Sequence, residues 1–441
     1  MTNRSFHIQT FGCQMNEHDS ETMAGMLEDL GYVENTNKNL ADVIIINTCS
    51  VRDNADKRFF GTLGALKKVK RERPELVVAV CGCMMQQQHI IDTLKAKYPW
   101  VDLVFGTHNI HQLPKLLTNV LNEQTKIVDI WESGGDIVEG LPAKRIFPFK
   151  ANVNIMFGCN NFCTYCIVPF TRGRERSRQP NEILKEVNEL VGTGVKEITL
   201  LGQNVNSYGN DCDFHIDFAD LIYQLNEIPG LELIRFMTSH PKDMSDKLIQ
   251  AYKDCEKLCN HIHLPVQSGS TNILKMMNRR YTRDDYLLLI EKLKKAVPEI
   301  AITTDIIVGF PGETEEDFLQ TLDLVEKVQF DLAYTFLYSI RKGTPAEKFG
   351  EQVLESVKHE RFNRLVELLN SITAKKNKDY EGKIQAVLVE GPSKTNPETY
   401  TGRTESGKIV NFPGTVDIIG QIIHVKITIG KTFSLTGELC K

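Results

Sequence analysis

Short apolar runs and amphipathic stretches alternate through the first 120 residues. The runs are SFHIQT (5–10), DVIIIN (42–47), LVVAV (76–80) and a weaker DLVFG (102–106). Between them, segments such as Asp19–Leu30 and Asn54–Arg73 carry apolar residues at helical spacing. Near-continuous Val/Ile runs alternating with helices predict an α/β domain, a doubly wound parallel sheet covered on both faces. Residues 131–148 (WESGGDIVEGLPAKRIFP) break the period with Gly and Pro and read as a linker. Beyond it the rhythm resumes at a longer period. Strands are predicted at 152–156, 196–201, 231–237, 260–265, 301–308 and 331–338, with helices such as Asn181–Val191 and Arg283–Ala296 between them. Six such units suit a (β/α)6 open barrel, whose chemistry gathers at the C-terminal strand ends.

A last helix from Glu355 to Tyr380 puts Phe362, Leu365, Val366, Leu369 and Ile372 on one face. From Gly382 the period shortens to two, with Ile423, Val425, Ile427 and Ile429 alternating with His424, Lys426 and Thr428. IQAVLVE, TGRTESGKIVNF, QIIHVKITI and FSLTGEL predict a small antiparallel β-barrel, of the size and pattern used to bind oligonucleotides. The expected domains are 1–125, a linker 126–148, 149–375 and 376–441.

Composition narrows the class. A chain of 441 residues has room for two to four domains. Its 41% hydrophobic and 25% charged residues are those of a soluble globular protein, which excludes a disordered or collagen-like chain. No run approaches the ~18 apolar residues that span a bilayer, and Met1 to Thr10 shows no basic-then-apolar leader. A cytoplasmic protein without a membrane partner is expected. With 52 Lys+Arg against 57 Asp+Glu, any nucleic acid must be held by local basic patches.

The eleven cysteines carry the chemistry. Their odd number and clustered spacing argue against a disulfide scaffold and for reduced thiols partly committed to metal. Cys159, Cys163 and Cys166, in FGCNNFCTYCIVPFTRGRERSR, follow a strand where the chain turns over the barrel mouth. An iron–sulfur cube normally takes four thiolates, so three on one loop leave the fourth iron open to a ligand. Zinc would want a fourth donor nearby, and none is obvious. Cys13, Cys49 and Cys83 each follow a predicted strand, at intervals of 36 and 34 residues. Parallel strand ends converge on one edge, so the three can meet as a second site; three unrelated buried cysteines are the plainer alternative. Cys81 and Cys83 share a strand face, so parity does not choose between them. A glycine precedes Cys83 as it precedes Cys13, and Gly lets the backbone approach a bulky cluster, which favours Cys83.

With Tyr165 just before its last cysteine, the loop motif resembles the radical S-adenosylmethionine (SAM) superfamily. TFGCQMNEHDSE, NTCSVRDNA, GCMMQ, LLGQNVNSYG, HLPVQSGS, MNRRYTR and DIIVGFPGETEEDF extend the resemblance over essentially the whole chain, to the methylthiotransferases. That implies an N-terminal cluster domain, a radical SAM domain and a C-terminal TRAM-type domain. LLGQNVNSYG and HLPVQSGS look most like members that thiomethylate C2 of isopentenyl-adenosine beside the tRNA anticodon. Sister members act on threonylcarbamoyl-adenosine or on a ribosomal-protein aspartate. The resemblance implies two [4Fe–4S] clusters: Cys159, Cys163 and Cys166 would hold the one that cleaves SAM, and Cys13, Cys49 and Cys83 an auxiliary one that carries sulfur. Two SAM molecules would be used per turnover. C2 of adenine is unactivated, which suits radical rather than acid–base chemistry. The anticodon stem-loop and an electron donor such as flavodoxin or ferredoxin are the expected partners, and the chain is expected to be a monomer.

Gln203 ends the predicted strand EITLLGQN and Asp305 lies in AITTDIIVGFPGE, both expected to point towards the barrel mouth. With Gln267 in HLPVQSGS, the resemblance suggests contact with SAM, and strand-end hydrogen bonding is the alternative. Arg172, Arg174, Arg176 and Arg178 would share one side of an extended segment beside the cluster loop and are expected to contact RNA phosphates. Arg279, Arg280 and Arg283 form a second possible patch. Cys255, Cys259, His261 and His263 are assigned to structure. A two-cluster electron carrier would not need this length, and an RNA-binding module would not need a three-cysteine cluster.

Overall fold

The computed structural model describes residues 4–50, 53–123, 125–393, 396 and 398–440. Met1 to Asn3, and Val51 and Arg52 of NTCSVRDNA, lie outside the described residues.

The first domain is one parallel sheet. Its strands are β1 (Ser5–Thr10), β2 (Val33–Glu34), β3 (Val43–Thr48), β4 (Val77–Gly82), β5 (Leu103–Phe105) and β6 (Ile127–Asp129), ordered β2-β1-β3-β4-β5-β6. Strands β3 and β4 are buried at every residue, because helices cover both sides. Phe6, Ile45, Ala79 and Leu117 pack on one side, and Ile44, Val78 and Phe59 on the other. Two strands escaped the pattern. β2 is only two residues long, and β6 pairs with β5 inside the stretch drawn as linker from 126. Neither is long enough to show a period.

In the second domain, β7 (Lys150–Asn154), β8 (Met156–Phe157), β9 (Arg176–Ser177), β10 (Glu197–Leu201), β11 (Leu233–Phe236), β12 (His261–His263), β13 (Ala301–Val308) and β14 (Leu332–Leu337) follow in order. Two parallel sheets, β7-β10-β11 and β12-β13-β14, are joined by an Ile234–Leu258 bridge, so six strands run in sequence order around an open barrel. β8 and β9 form a small antiparallel pair of their own. Val153, Ile198, Leu200, Ile234 and Phe236 face the helices. Residues one step away, Asn152, Thr199 and Arg235, are in register across the other face and line the lumen.

The helix Glu355–Lys378 buries Leu365, Leu369 and Ile372 as the pattern requires, but Phe362 and Val366 stay half-exposed. Lys358 and Arg361 are buried instead. The first turns rest on polar strand-end loops, where Lys358 donates to the Tyr338 carbonyl and Arg361 to Glu313 at 2.9 Å.

Strands β15 (Ile384–Pro392), β16 (Thr399–Thr404), β17 (Ile409–Pro413), β18 (Ile422–Gly430) and β19 (Leu435–Leu439) close the small barrel, in the order β15-β16-β17-β19-β18. It is antiparallel except between β17 and β19, which run parallel. This barrel docks on the N-terminal ends of the larger barrel's strands through ion pairs. Lys150 reaches Glu197 (2.9 Å) and Glu390 (2.7 Å). Arg235 reaches Glu197 (2.8 Å) and the carbonyls of Thr404 and Glu405. Asp331 takes Lys376 (2.6 Å) and Lys408 (3.2 Å). Burial alone would raise the Glu197 carboxyl, but Arg235 and Lys150 outweigh it and hold the group below its usual range. Among the described residues no helix is long and apolar enough to cross a membrane.

Glu197→Ala should leave Lys150 and Arg235 without their shared carboxylate. A loss of about 3–5 kcal/mol is expected, the usual cost of breaking a buried pair from one side. It should be read as a lower urea midpoint by circular dichroism and as earlier proteolytic release of the C-terminal barrel.

Candidate metal centres

Residues 158–167 form a loop that leaves β8 and lies over the C-terminal mouth of the barrel. Cys159 N–H donates to the Gly173 carbonyl, and Cys166 N–H to the Cys163 carbonyl in a tight turn. The far wall clamps it: Thr164 Oγ1 donates to the Met276 carbonyl (2.9 Å), and Asn278 Nδ2 to the carbonyls of Asn161 and Phe162. Burial pushes the Cys159 thiol up to about 11 and Cys166 to about 12, with Cys163 adding to both shifts. Arg279 brings Nη1 to 3.6 Å from Cys163 Sγ, anchored by the Pro265 carbonyl (2.7 Å) and Tyr281 Oη (3.0 Å).

The second cysteine set meets where three neighbouring strands end. Cys13 caps the helix Gln14–Asp29 just after β1, Cys49 follows β3, and Cys83 opens a short 3-10 turn after β4. Parallel registers put Thr48 beside Gly82, so the last two cysteines leave adjacent strands at one level. Gly82 turns the chain at φ 98° and ψ −173°, and a Cβ there would lie 2.2 Å from the Thr48 carbonyl oxygen. Across from it, a Cβ on Gly12 would lie 2.8 Å from Cys49 Cβ. Asn16 and Asn47, both fully buried, tie the β1 and β3 ends together through Asn16 Nδ2–Asn47 Oδ1 (3.0 Å) and Asn47 Nδ2–Asn16 O (2.9 Å). The hydrogen bond with Cys49 lowers the Cys13 thiol to about 6; burial opposes this and Arg172 adds to it. Burial raises Cys83. Cys81 is fully buried in the sheet core against Met23 Sδ (3.7 Å), and burial puts its thiol well above the usual range. The turn at Gly82 separates Cys81 from Cys83, which strand parity could not do.

The two cysteine sets face each other across the contact between domains. Gln203 spans it, accepting from Gly158 N–H at the start of the cluster loop and directing Nε2 at Met15 Sδ beside Cys13. Gln267 is buried at φ 70° and bonds to β13 through its backbone, to Asp305 O and from Ile307 N–H. Asp305 faces the lumen with Oδ2 3.5 Å from His263 Nε2. The unpartnered polar atoms lie elsewhere. At the mouth, Asn154 Oδ1 at the end of β7, Asn204 and Asn206 Oδ1 after β10, and Ser239 Oγ and His240 Nε2 after β11 are among the buried atoms without a hydrogen-bond partner. All stand at the C-terminal ends of three adjacent strands. QNVNS and TSHP are the polar runs that could have pointed to them.

The arginine expectation needs correction. Arg172 and Arg178 are 5% and 7% exposed and ion-paired, so neither is available to RNA. Arg172 holds Asp19 at 2.7 Å, and Arg178 holds Glu139 and Glu186. The segment is not continuously extended: a short helix (Val168–Thr171) ends at Arg172, and β9 spans only two residues. Arg174 is exposed over the Phe162 ring (4.3 Å), and Arg176 is half-exposed, donating to the Gly135 carbonyl. Arg279 is buried at the cluster loop and Arg283 pairs with Asp323, so the second patch does not form.

On the last barrel strand, Tyr334 and Phe336 are in register with Asp305 and Ile307 and therefore face the lumen. They are 48% and 45% exposed, and Tyr334 packs edge-on against His263 (5.9 Å between ring centroids).

These features define a three-domain protein built on a radical SAM barrel. The chain matches the radical SAM superfamily over residues 153–325, Uncharacterized protein family UPF0004 over 5–106 and the TRAM domain over 378–440. It is 56% identical over 437 residues to the tRNA-2-methylthio-N(6)-dimethylallyladenosine synthase of Alkaliphilus oremlandii, covering 99% of this chain and 93% of that one. To the enzyme of the same name from Clostridium tetani it is 57% identical over 434 residues, covering 98% and 96%. The chain belongs to the family of tRNA-2-methylthio-N(6)-dimethylallyladenosine synthases. In fold it is similar to the radical SAM methyltransferase TsrM of Kitasatospora setae (TM-score 0.58, 12% identity, 85% of this chain and 90% of that one). It is also similar in fold to the cobalamin-dependent radical enzyme OxsB (TM-score 0.53, 14% identity, 84% and 56%).

Gly82→Ala should destabilise the N-terminal domain by more than about 2 kcal/mol, because an alanine meets both a glycine-only conformation and the Thr48 carbonyl. A urea titration should show this even in chains never exposed to iron.

Proposed function

We propose that this chain attaches a methylthio group to C2 of N6-dimethylallyl-adenosine in tRNA, using two clusters held by the two facing cysteine sets. One observation carries the reading: two three-thiol sets, each at the C-terminal edge of a parallel sheet, open towards the same interface. The donor sets fit. Cys13 hydrogen-bonds with Cys49 and lies close enough to Cys83 to shift its thiol, and Cys159 and Cys163 do the same to Cys166. A cube takes each thiolate on a separate iron. Half-buried thiols with raised pKa values, Cys159 and Cys166, must lose their protons on loading, which is how metal binding is coupled to proton release.

When bound, the cluster at Cys159, Cys163 and Cys166 with SAM supplies a 5′-deoxyadenosyl radical, and the cluster at Cys13, Cys49 and Cys83 supplies the sulfur. The residues around them position and shield. The unpartnered atoms of Asn154, Asn204, Ser239 and His240 suit the polar end of SAM, since buried polar groups need partners. Tyr334 and Phe336 suit the dimethylallyl group, and Asp305 beside them disfavours the carboxylate of a threonylcarbamoyl group. Arg174 and the C-terminal barrel remain for phosphate contacts, and a reduced flavodoxin or ferredoxin would deliver the electron to a monomer in the cytoplasm.

Ala replacements at Cys159, Cys163 or Cys166 should abolish both 5′-deoxyadenosine and product. Replacements at Cys13, Cys49 or Cys83 should spare SAM cleavage and abolish sulfur insertion, whereas Cys81→Ala keeps both activities. Loss of all cleavage in the second group, in chains with an intact radical-site cluster, would refute the two-site assignment.

Truncating both rings, Tyr334→Ala with Phe336→Ala, should raise KM for a dimethylallylated anticodon stem-loop. Losing ~1.5–3 kcal/mol of apolar burial corresponds to about ten- to a hundredfold. Preference over the unprenylated stem-loop should shrink by the same factor; an unchanged preference would remove the rings from the substrate site.

A further inference from the structure

Arg172 belongs to the barrel by sequence and to the other domain by contact. It stands just after the helix Val168–Thr171 that follows the cluster loop, and Thr107 Oγ1 of the N-terminal domain holds the preceding carbonyl at 2.9 Å. Its side chain is 6% exposed. Nε donates to Cys83 Sγ at 3.2 Å, and Nη2 donates to Asp19 Oδ2 at 2.7 Å. A guanidinium stays charged in a protein, and its planar fork holds two acceptors in fixed directions. One acceptor is a sulfur proposed as a ligand; the other is the carboxylate that compensates the charge. Arg279 makes a looser sulfur contact at the radical site, 3.6 Å from Cys163, but among the described residues no carboxylate pairs with it.

We propose that Arg172 is a positioning residue of the barrel that raises the reduction potential of the cluster held by Cys13, Cys49 and Cys83, with Asp19 limiting the rise. This rests on the ligand assignment above. Adding an electron makes a cluster more negative, so a nearby cation and an N–H bond to a ligand sulfur favour the reduced form. Asp19, held on the same edge of that guanidinium beside Cys83, opposes the effect. The barrel segment that follows one cluster loop thereby sets the electronic state of the other cluster, and the two domains must be docked for the setting to hold.

Two substitutions break the same ion pair with opposite electrostatic sign. Arg172→Gln removes the cation and should lower the midpoint potential; Asp19→Asn leaves the cation uncompensated and should raise it. A merely structural role predicts shifts of the same direction for both, or none. The measurement uses the full-length chain carrying Cys159→Ala, Cys163→Ala and Cys166→Ala, reconstituted anaerobically, with the potential read by EPR-monitored titration. Arg172→Lys, which keeps charge but not the fork, should fall between the parent and Arg172→Gln. Shifts in one direction, or no shift in iron-loaded chains, overturn the inference while leaving the ligand assignment standing. If one substitution empties the site, the sign of the other still decides. A parent chain that binds no iron would instead refute the ligand assignment, and the inference with it.

Discussion

In a parallel sheet every strand ends on the same edge, and this chain places its clustered cysteines at that edge in two domains. The N-terminal sheet brings Cys13, Cys49 and Cys83 together from three strand–helix units, which no local sequence could do. The barrel adds Cys159, Cys163 and Cys166 on one loop at its own C-terminal mouth. The two edges are joined across the domain contact by Gln203, between Gly158 and Met15, and by Arg172, between Cys83 and Asp19.

Both ends of the barrel are held by buried polar contacts. At the mouth these are Arg172 with Asp19 and Arg178 with Glu139 and Glu186. At the other end they are Lys150, Arg235 and Glu197, with Asp331, Lys376 and Lys408 beside them. Buried ion pairs contribute little net stability when whole but cost much when half is removed. They therefore select one docked arrangement, beside a small apolar cluster in which Phe149, Leu233 and Cys259 pack on Leu388 of the small barrel. The small barrel is fixed in this way at the end of the strands opposite to the cysteines, so an RNA bound there must reach along the barrel to the mouth.

Charge runs illustrate where pattern misleads. The four arginines from Arg172 to Arg178 look like a solvated comb, yet two are interior. A single helical turn and a two-residue strand change the direction of successive side chains, and the carboxylates that neutralise them come from residues 19, 139 and 186. Lys358 and Arg361 repeat the lesson on a helix, where cations take positions at which an amphipathic reading expects Phe362 and Val366. For Arg172 and Arg361 the carboxylate that compensates burial lies far away in sequence, at Asp19 and Glu313.

The sequence by itself determined the elements and their class. Val/Ile runs between amphipathic stretches leave little choice but a covered parallel sheet, alternation at Ile423–Ile429 leaves little but a small barrel, and C-x3-C-x2-C leaves few uses for the loop. These are local periodicities, readable within a dozen residues. Tertiary structure alone decided which buried polar atoms at the mouth lack partners, that Gln203 bridges the two domains, and that Arg172 meets Cys83. Each depends on register and docking between segments tens to nearly two hundred residues apart, and a side chain's environment at such distances is set by packing, to which no local period corresponds.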